Sequence, residues 1–120
     1  MTFTGAAVVA GVIGWPIRHT RSPRIHNFWL DRYGIDGVYV PLAVAPDTAE
    51  QAIRALPMLG IAGINVTVPN KEAAFRAVDE TDKWAARMKA VNTVVVREDG
   101  SLFGMNTDAY GFLESLRERR

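Results

Sequence analysis

The run AVVAGVI, from Ala7 to Ile13, carries no charged or strongly polar side chain and is rich in Val and Ile. A segment so short and so apolar has no face to offer to water, so it reads as a strand covered on both sides, as in a parallel sheet. Parallel neighbours can be joined only by crossovers, and these are usually helices. The rest of the chain supplies that alternation. After a loop from Gly14 to Arg21, Ser22 and Pro23 read as N-cap and first helical residue, and Ile25, Phe28, Trp29 and Tyr33 recur at helical spacing up to Gly34. Val38 to Val44 reads as a second strand, with Pro41 arguing for an edge position or a local break in pairing. Asp47 and Glu50 resemble a capping box opening a helix through Ile53 and Leu56, disturbed at Pro57 and finished by Gly60. Ile64 to Val68 is a third strand that Pro69 ends. KEAAFRAV then starts a helix that pauses near Asp79, before a second segment at roughly Asp82 to Lys89.

Past this point the period changes. Asn92 to Arg97 and Ser101 to Met105 are strand-like and are joined by Glu98-Asp99-Gly100, a tight-hairpin signal. Asn106, Thr107 and Asp108 then cap a last helix with Tyr110, Phe112, Leu113 and Leu116 as its apolar contacts. The pattern predicts an α/β fold: a three-layer domain with a mostly parallel sheet, one antiparallel hairpin strand and helices on both faces. At 120 residues the chain fits one domain that hides roughly two thirds of its unfolded surface, so no disulfide or metal is needed to stabilise it. The absence of cysteine excludes thiolate metal sites and fits a reducing cytosol. With a net charge of +1 and basic residues spread along the chain, no nucleic-acid footprint is visible; the group Arg117, Arg119 and Arg120 reads as a solvated last helical turn. No apolar run reaches membrane length, and no basic region precedes the apolar start, so neither a membrane span nor a signal peptide is expected.

Ligands of such sheets bind at the carboxyl ends of the strands. The polar residues collect there: His19, Thr20 and Ser22 after strand one, Thr67 and Lys71 about the end of strand three, and Asn106 to Asp108 after the hairpin. The loop Gly14 to Pro23 lacks G-x-G-x-x-G spacing and a G-K-[ST] ending, so it is not a phosphate cradle. It offers two hydroxyls beside a helix N-terminus, where a small carboxylate is favoured; the bland alternative is a helix cap at Ser22 and loop filler at Thr20. Lys71, just past a buried strand, is expected to be poorly solvated, and burial lowers a lysine pKa and makes it useful as a base; the alternative is an ordinary surface lysine. Asp108 reads equally as a helix cap, Asn92 as a strand-edge amide, His19 as a loop residue and His26 as a packing or surface residue. Two histidines without suitable neighbours make no metal site. The physics stops at a small polar anion bound on a sheet rim.

Taken as a set, GWPIRHTRSPRIHN, NVTVPNK, AVNT and GMNTDAYGF resemble the substrate domain of the shikimate dehydrogenase family, in register over roughly residues 8 to 116. The resemblance implies reversible reduction of 3-dehydroshikimate to shikimate with NADP(H), in the route to aromatic amino acids. It implies that Thr20 and Ser22 hold the substrate carboxylate, that Thr67, Lys71, Asn92 and Asp108 bind the ring hydroxyls, and that Lys71 and Asp108 are the catalytic pair. It also implies that the cofactor sits in a Rossmann domain following residues 1 to 120, leaving this chain inactive alone with no cofactor-binding residue of its own. A homodimer is left open. Thr20 stands where the family usually has serine, which bears on shikimate against quinate; the other readings are a quinate/shikimate dehydrogenase and a free-standing, non-catalytic binding module.

Overall fold

The first apolar run forms β1, Val8–Gly14, and both of its edges are taken: β2, Gly37–Ala43, lies parallel to it on one side and β3, Ile61–Val66, parallel on the other. The computed structural model describes residues 3–108. Between the strands lie α1, Ser22–Arg32, and α2, Ala49–Arg54, the latter continued by a 3-10 turn at Leu56–Leu59. Then come α3, Lys71–Ala77; a two-residue strand β4, Glu80–Thr81; α4, Lys83–Met88; and the hairpin strands β5, Thr93–Val96, and β6, Leu102–Met105. The sheet order is β2-β1-β3-β5-β6-β4, and β5 alone runs against the other five. This is the expected mostly parallel sheet with one antiparallel strand; β4, too short to leave a periodic signal, is an addition. The helix expected after Asp108 lies outside the described residues, apart from the helical Thr107 and Asp108 at its start.

Strand alternation divides the core in two. Ile13, Ile64, Val66 and Val94 point to one face, where Ile53 and Leu56 of the α2 segment and Ala74 and Ala77 of α3 complete the larger cluster. Val12 and Tyr39 point to the other face, packed with Ile17 and Leu30. On this second side the structure departs from the helical spacing in α1. Ile25, Phe28, Trp29 and Tyr33 are 47–67% exposed, and the buried residue of the helix is Asn27. The cause is a polar clamp: Asn27 Nδ2 donates to the Tyr39 carbonyl and Asn27 Oδ1 accepts the Tyr39 N–H, both at 2.9 Å. Strand β2 is an edge, as Pro41 suggests, and this clamp occupies backbone groups that an edge leaves open. Turning Asn27 inward turns the aromatic stripe outward. An apolar hollow of about 460 Å³ therefore remains beside α1, over β1, β3 and β5, with Trp29, Tyr33, Asn65 and Thr93 among its walls.

Two smaller expectations also need correction. Neither Asp47 nor any other side chain caps α2: the N-cap is Thr48, whose hydroxyl donates instead to the Ala45 carbonyl, while Glu50 pairs with Arg54 and Arg76. Ser22 is likewise not a cap but the first residue of α1, with Arg21 before it. The second helical segment, expected from roughly Asp82 to Lys89, is α4, and Asp82 caps it by accepting the Ala85 N–H at 2.8 Å. The hairpin turns on Gly100 at φ 85°, with Asp99 accepting from the Ser101 amide.

Candidate functional site

Because β5 is reversed, the carboxyl ends of β3 and β6 and the amino end of β5 share one rim: Asn65 faces Thr93, and Thr93 faces Met105. The segment that follows β3 is fixed from beneath. Asn70 is fully buried, its Nδ2 donating to the Val44 carbonyl at 2.8 Å, and α3 starts at the next residue, Lys71. The Lys71 carbonyl accepts the Val91 N–H, while the backbone of Asn92 bonds to Val66 on one side and Met105 on the other. These bonds bring together residues far apart in the chain. Lys71 Nζ lies 2.7 Å from Asp108 Oδ2, across 37 positions of sequence. Asn92 Nδ2 donates to Thr107 Oγ1 at 2.9 Å, and Asn92 Oδ1 accepts the Thr107 N–H at 3.2 Å.

The Lys71 hydrogen bond holds the Asp108 carboxyl below its ordinary value; partial burial opposes this, and the Lys71 charge and a hydrogen bond from Asn92 add to the lowering. Asp108 is therefore a carboxylate at neutral pH. Lys71 is not the buried amine that the sequence suggested: its side chain is 31% exposed and that of Asp108 62%. A charged group placed there is a donor in contact with water, able to face an oxygen that gains negative charge and to regain a proton from solvent.

Thr67 sits at the β1 side of the rim. Its amide and hydroxyl both donate to the Ile13 carbonyl, at 2.9 and 3.2 Å. A Cβ at Gly14 would fall 2.1 Å from Thr67 Oγ1, so glycine is what lets this hydroxyl stand there. From Gly14 the loop leads to Thr20 and Ser22, which form their own pair: Thr20 Oγ1 accepts the Ser22 N–H at 3.3 Å. Among the described residues no hydrogen bond joins Thr20 or Ser22 to Lys71 or Asp108. His19 is exposed, and His26 serves in packing, its ring stacked on Tyr39 at 4.1 Å between centroids.

Three polar residues on this rim had no role in the sequence reading. Tyr39 donates its hydroxyl to Asn65 Oδ1 at 2.7 Å, Asn65 Nδ2 donates to Thr93 Oγ1 at 3.4 Å, and the Thr93 hydroxyl donates to Asn92 Oδ1 at 3.0 Å. Burial pushes the Tyr39 hydroxyl up to about 12. One signal was available: INVTV alternates, so Asn65 and Thr67 must leave the core face that Ile64 and Val66 occupy. Among the described residues there is no cluster of three or more His, Cys, Asp or Glu able to hold a metal, and no helix long and apolar enough to cross a membrane.

An α/β sheet whose carboxyl rim presents hydroxyls, an amide, an ammonium and a carboxylate is a binding domain for a small polar molecule. The chain belongs to the family described as the shikimate dehydrogenase substrate binding domain, whose model matches residues 12–94. It is 63% identical over 115 residues to the shikimate dehydrogenase (NADP(+)) of Paramagnetospirillum magneticum, covering 96% of this chain and 42% of that protein. Among solved structures it resembles the shikimate 5-dehydrogenase of Listeria monocytogenes in complex with shikimate and NAD, with a TM-score of 0.88 and 34% identity over 99% of this chain and 41% of that one. It also resembles the ligand-free 5-ketofructose reductase of a Gluconobacter species, with a TM-score of 0.85 and 27% identity over 96% of this chain and 41% of that one. The chain spans about two fifths of the length of the curated relatives it matches.

Proposed function

We propose that this chain is the substrate-binding part of an NADP-dependent shikimate dehydrogenase, which interconverts 3-dehydroshikimate and shikimate. The observation that carries the reading is the Lys71 to Asp108 contact of 2.7 Å beside the Asn92 amide, on the rim where ligands of such sheets bind. The names of the relatives support it. Thr20 and Ser22, beside the N-terminus of α1, hold the substrate carboxylate, and Thr67 and Asn92 meet ring hydroxyls. The Lys71 ammonium faces the carbonyl oxygen, stabilises the alkoxide as it forms and gives it a proton, which solvent then replaces. Asp108, kept ionised by Lys71, orients the ammonium and accepts from a neighbouring ring hydroxyl.

The described residues do not fit NADP. The loop after β1 lacks a glycine-rich phosphate cradle, and the space a side chain would take at Gly14 holds the Thr67 hydroxyl. We place the cofactor, which supplies a hydride when bound, in a Rossmann-type domain outside these 120 residues. The lack of cysteine supports placing the protein in a reducing cytosol. The test is hydride transfer by the protein as its gene encodes it, followed as NADP reduction with shikimate or quinate and as NADPH oxidation with the hydroxy-ketone 5-ketofructose. Preferred turnover of shikimate is the expected result, and turnover of either other compound in its place would overturn it. Quinate is the second reading, favoured by Thr20, which adds a methyl group at the carboxylate end.

A further inference from the structure

The polar residues behind Asn92 form a chain in which every side chain passes its hydrogen on in one direction. Tyr39 gives to Asn65, Asn65 to Thr93, Thr93 to Asn92, and Asn92 to Thr107, over distances of 2.7, 3.4, 3.0 and 2.9 Å. The members come from β2, β3, β5 and the residues flanking β5 and β6, so the chain crosses the sheet on the side of α1. Hydroxyls and amides in such a series accept at one end and donate at the other, and each bond polarises the next. The direction of the series is therefore set by its ends. At the near end the Thr107 N–H holds Asn92 Oδ1. At the far end stands a tyrosine only 5% exposed, its ring held face to face against His26.

We propose that Tyr39 is a positioning residue: by donating to Asn65 it orders Asn65 and Thr93 in turn, so that Asn92 keeps its oxygen on the Thr93 hydroxyl and the Thr107 amide and presents its N–H groups to the Thr107 hydroxyl and Asp108. The benefit of that polarity is electrostatic. An amide oxygen turned toward the Asp108 carboxylate would repel it, whereas the N–H groups support it, and Asn92 is one of the groups that lower Asp108. Tyr39 stays a donor well above the neutral range, since burial raises its hydroxyl from 10 to about 12. The weakest step is the 3.4 Å contact between Asn65 and Thr93, so the series is most open to disruption in the middle. As a statement about turnover, the inference rests on the shikimate reading above.

The experiment uses the protein as its gene encodes it, with Tyr39→Phe, which keeps the ring and removes one oxygen, and with Thr93→Val, Thr93→Ser and the double variant Tyr39→Phe/Thr93→Val. Two readouts are taken: KM and kcat with shikimate, and the side-chain amide NMR signals of Asn92. Each single loss of a hydroxyl should raise KM by roughly 3- to 10-fold with a smaller change in kcat. Thr93→Ser should restore it, and the double variant should be no worse than Thr93→Val, since one broken chain cannot be broken twice. The Asn92 signals should move in Tyr39→Phe although Asn65 and Thr93 stand between the two residues in the series. Additive effects, or Asn92 signals unchanged in Tyr39→Phe, would overturn the proposal, as would a fall in melting temperature with KM unmoved. If the unaltered protein does not act on shikimate, the functional reading fails, and the Asn92 signals still decide the chain.

Discussion

Replacing Lys71 by Met tests the role proposed for Lys71 in turnover apart from its part in stability, because methionine keeps the length and much of the stem of lysine while removing the ammonium. The structural loss follows from exposure. The Lys71 and Asp108 side chains are 31% and 62% exposed, so water screens their 2.7 Å contact and the pair contributes only about 0.5 kcal/mol. In a domain of this size that corresponds to a fall in melting temperature of roughly 2–4 °C. The catalytic loss is of another order. A group that stabilises a forming alkoxide and also gives it a proton accounts for about 10²-fold or more in rate. Initial rates of NADP reduction by the complete natural protein, with shikimate varied, should show kcat lowered by at least that factor and KM changed less. Calorimetry on the same preparation should show a nearly unaltered transition. A variant whose kcat stays within about twofold of the parent, whatever its melting temperature, would refute the assignment of Lys71 to the transition state.

The pH behaviour of Asp108 has a definite sign. A carboxyl lowered in the folded state contributes stability that is present above its unfolded value and is lost as pH falls through the folded one. Its NMR titration should therefore lie below the ordinary 3.8 and move upward in Lys71→Met, which removes the largest cause of the lowering; a midpoint that stays put would show that another group sets it. Gly14→Ala should destabilise by about 1–3 kcal/mol, since the new Cβ lies 2.1 Å from Thr67 Oγ1 and 3.1 Å from Ile17 Cδ1. Denaturant midpoints check this, and adding Thr67→Ala should recover most of the loss if the hydroxyl is the obstacle. Asn27→Ala leaves the Tyr39 N–H and carbonyl without their 2.9 Å partners and should cost about 2–4 kcal/mol. A cost under about 0.5 kcal/mol would mean that water replaces the clamp.

Much of the architecture is written locally and can be read locally. The Val and Ile of β1 and the Asp99-Gly100 turn act through their own backbone preferences, and the structure follows them, whereas β3 runs from Ile61 to Val66 and so begins earlier than Ile64 and ends ahead of Val68 and Pro69, where Thr67 already turns back to the Ile13 carbonyl. Lys71 and Asp108 were also legible as a pair, though only through the motifs that surround them. What stayed hidden depends on partners that no local window contains. The spacing of Phe28, Trp29 and Tyr33 marks an apolar face, yet one amide at Asn27, bonded to a strand twelve positions away, decides which side of α1 turns inward. Tyr39 looks like one more aromatic in a strand until Asn65, 26 positions on, supplies an acceptor. Lys71 illustrates the opposite error: its place beside a buried strand implied desolvation, but the rim of a sheet is open on one side.

The facing of Asn65 and Thr93 across β3 and β5 has a consequence for which changes of length the protein tolerates over evolution. A residue inserted among Glu98, Asp99 and Gly100 lengthens a turn and leaves the pairing of β5 on β3 as it was. A residue inserted between Ala90 and Asn92 slides β5 by one step and sends every side chain along it to the opposite face, Thr93 toward the aliphatic core and Val94 toward the polar rim. The two hairpin borders therefore age differently: the turn is free to drift in length, while the few positions leading into β5 are fixed in number even where their identities are free to change.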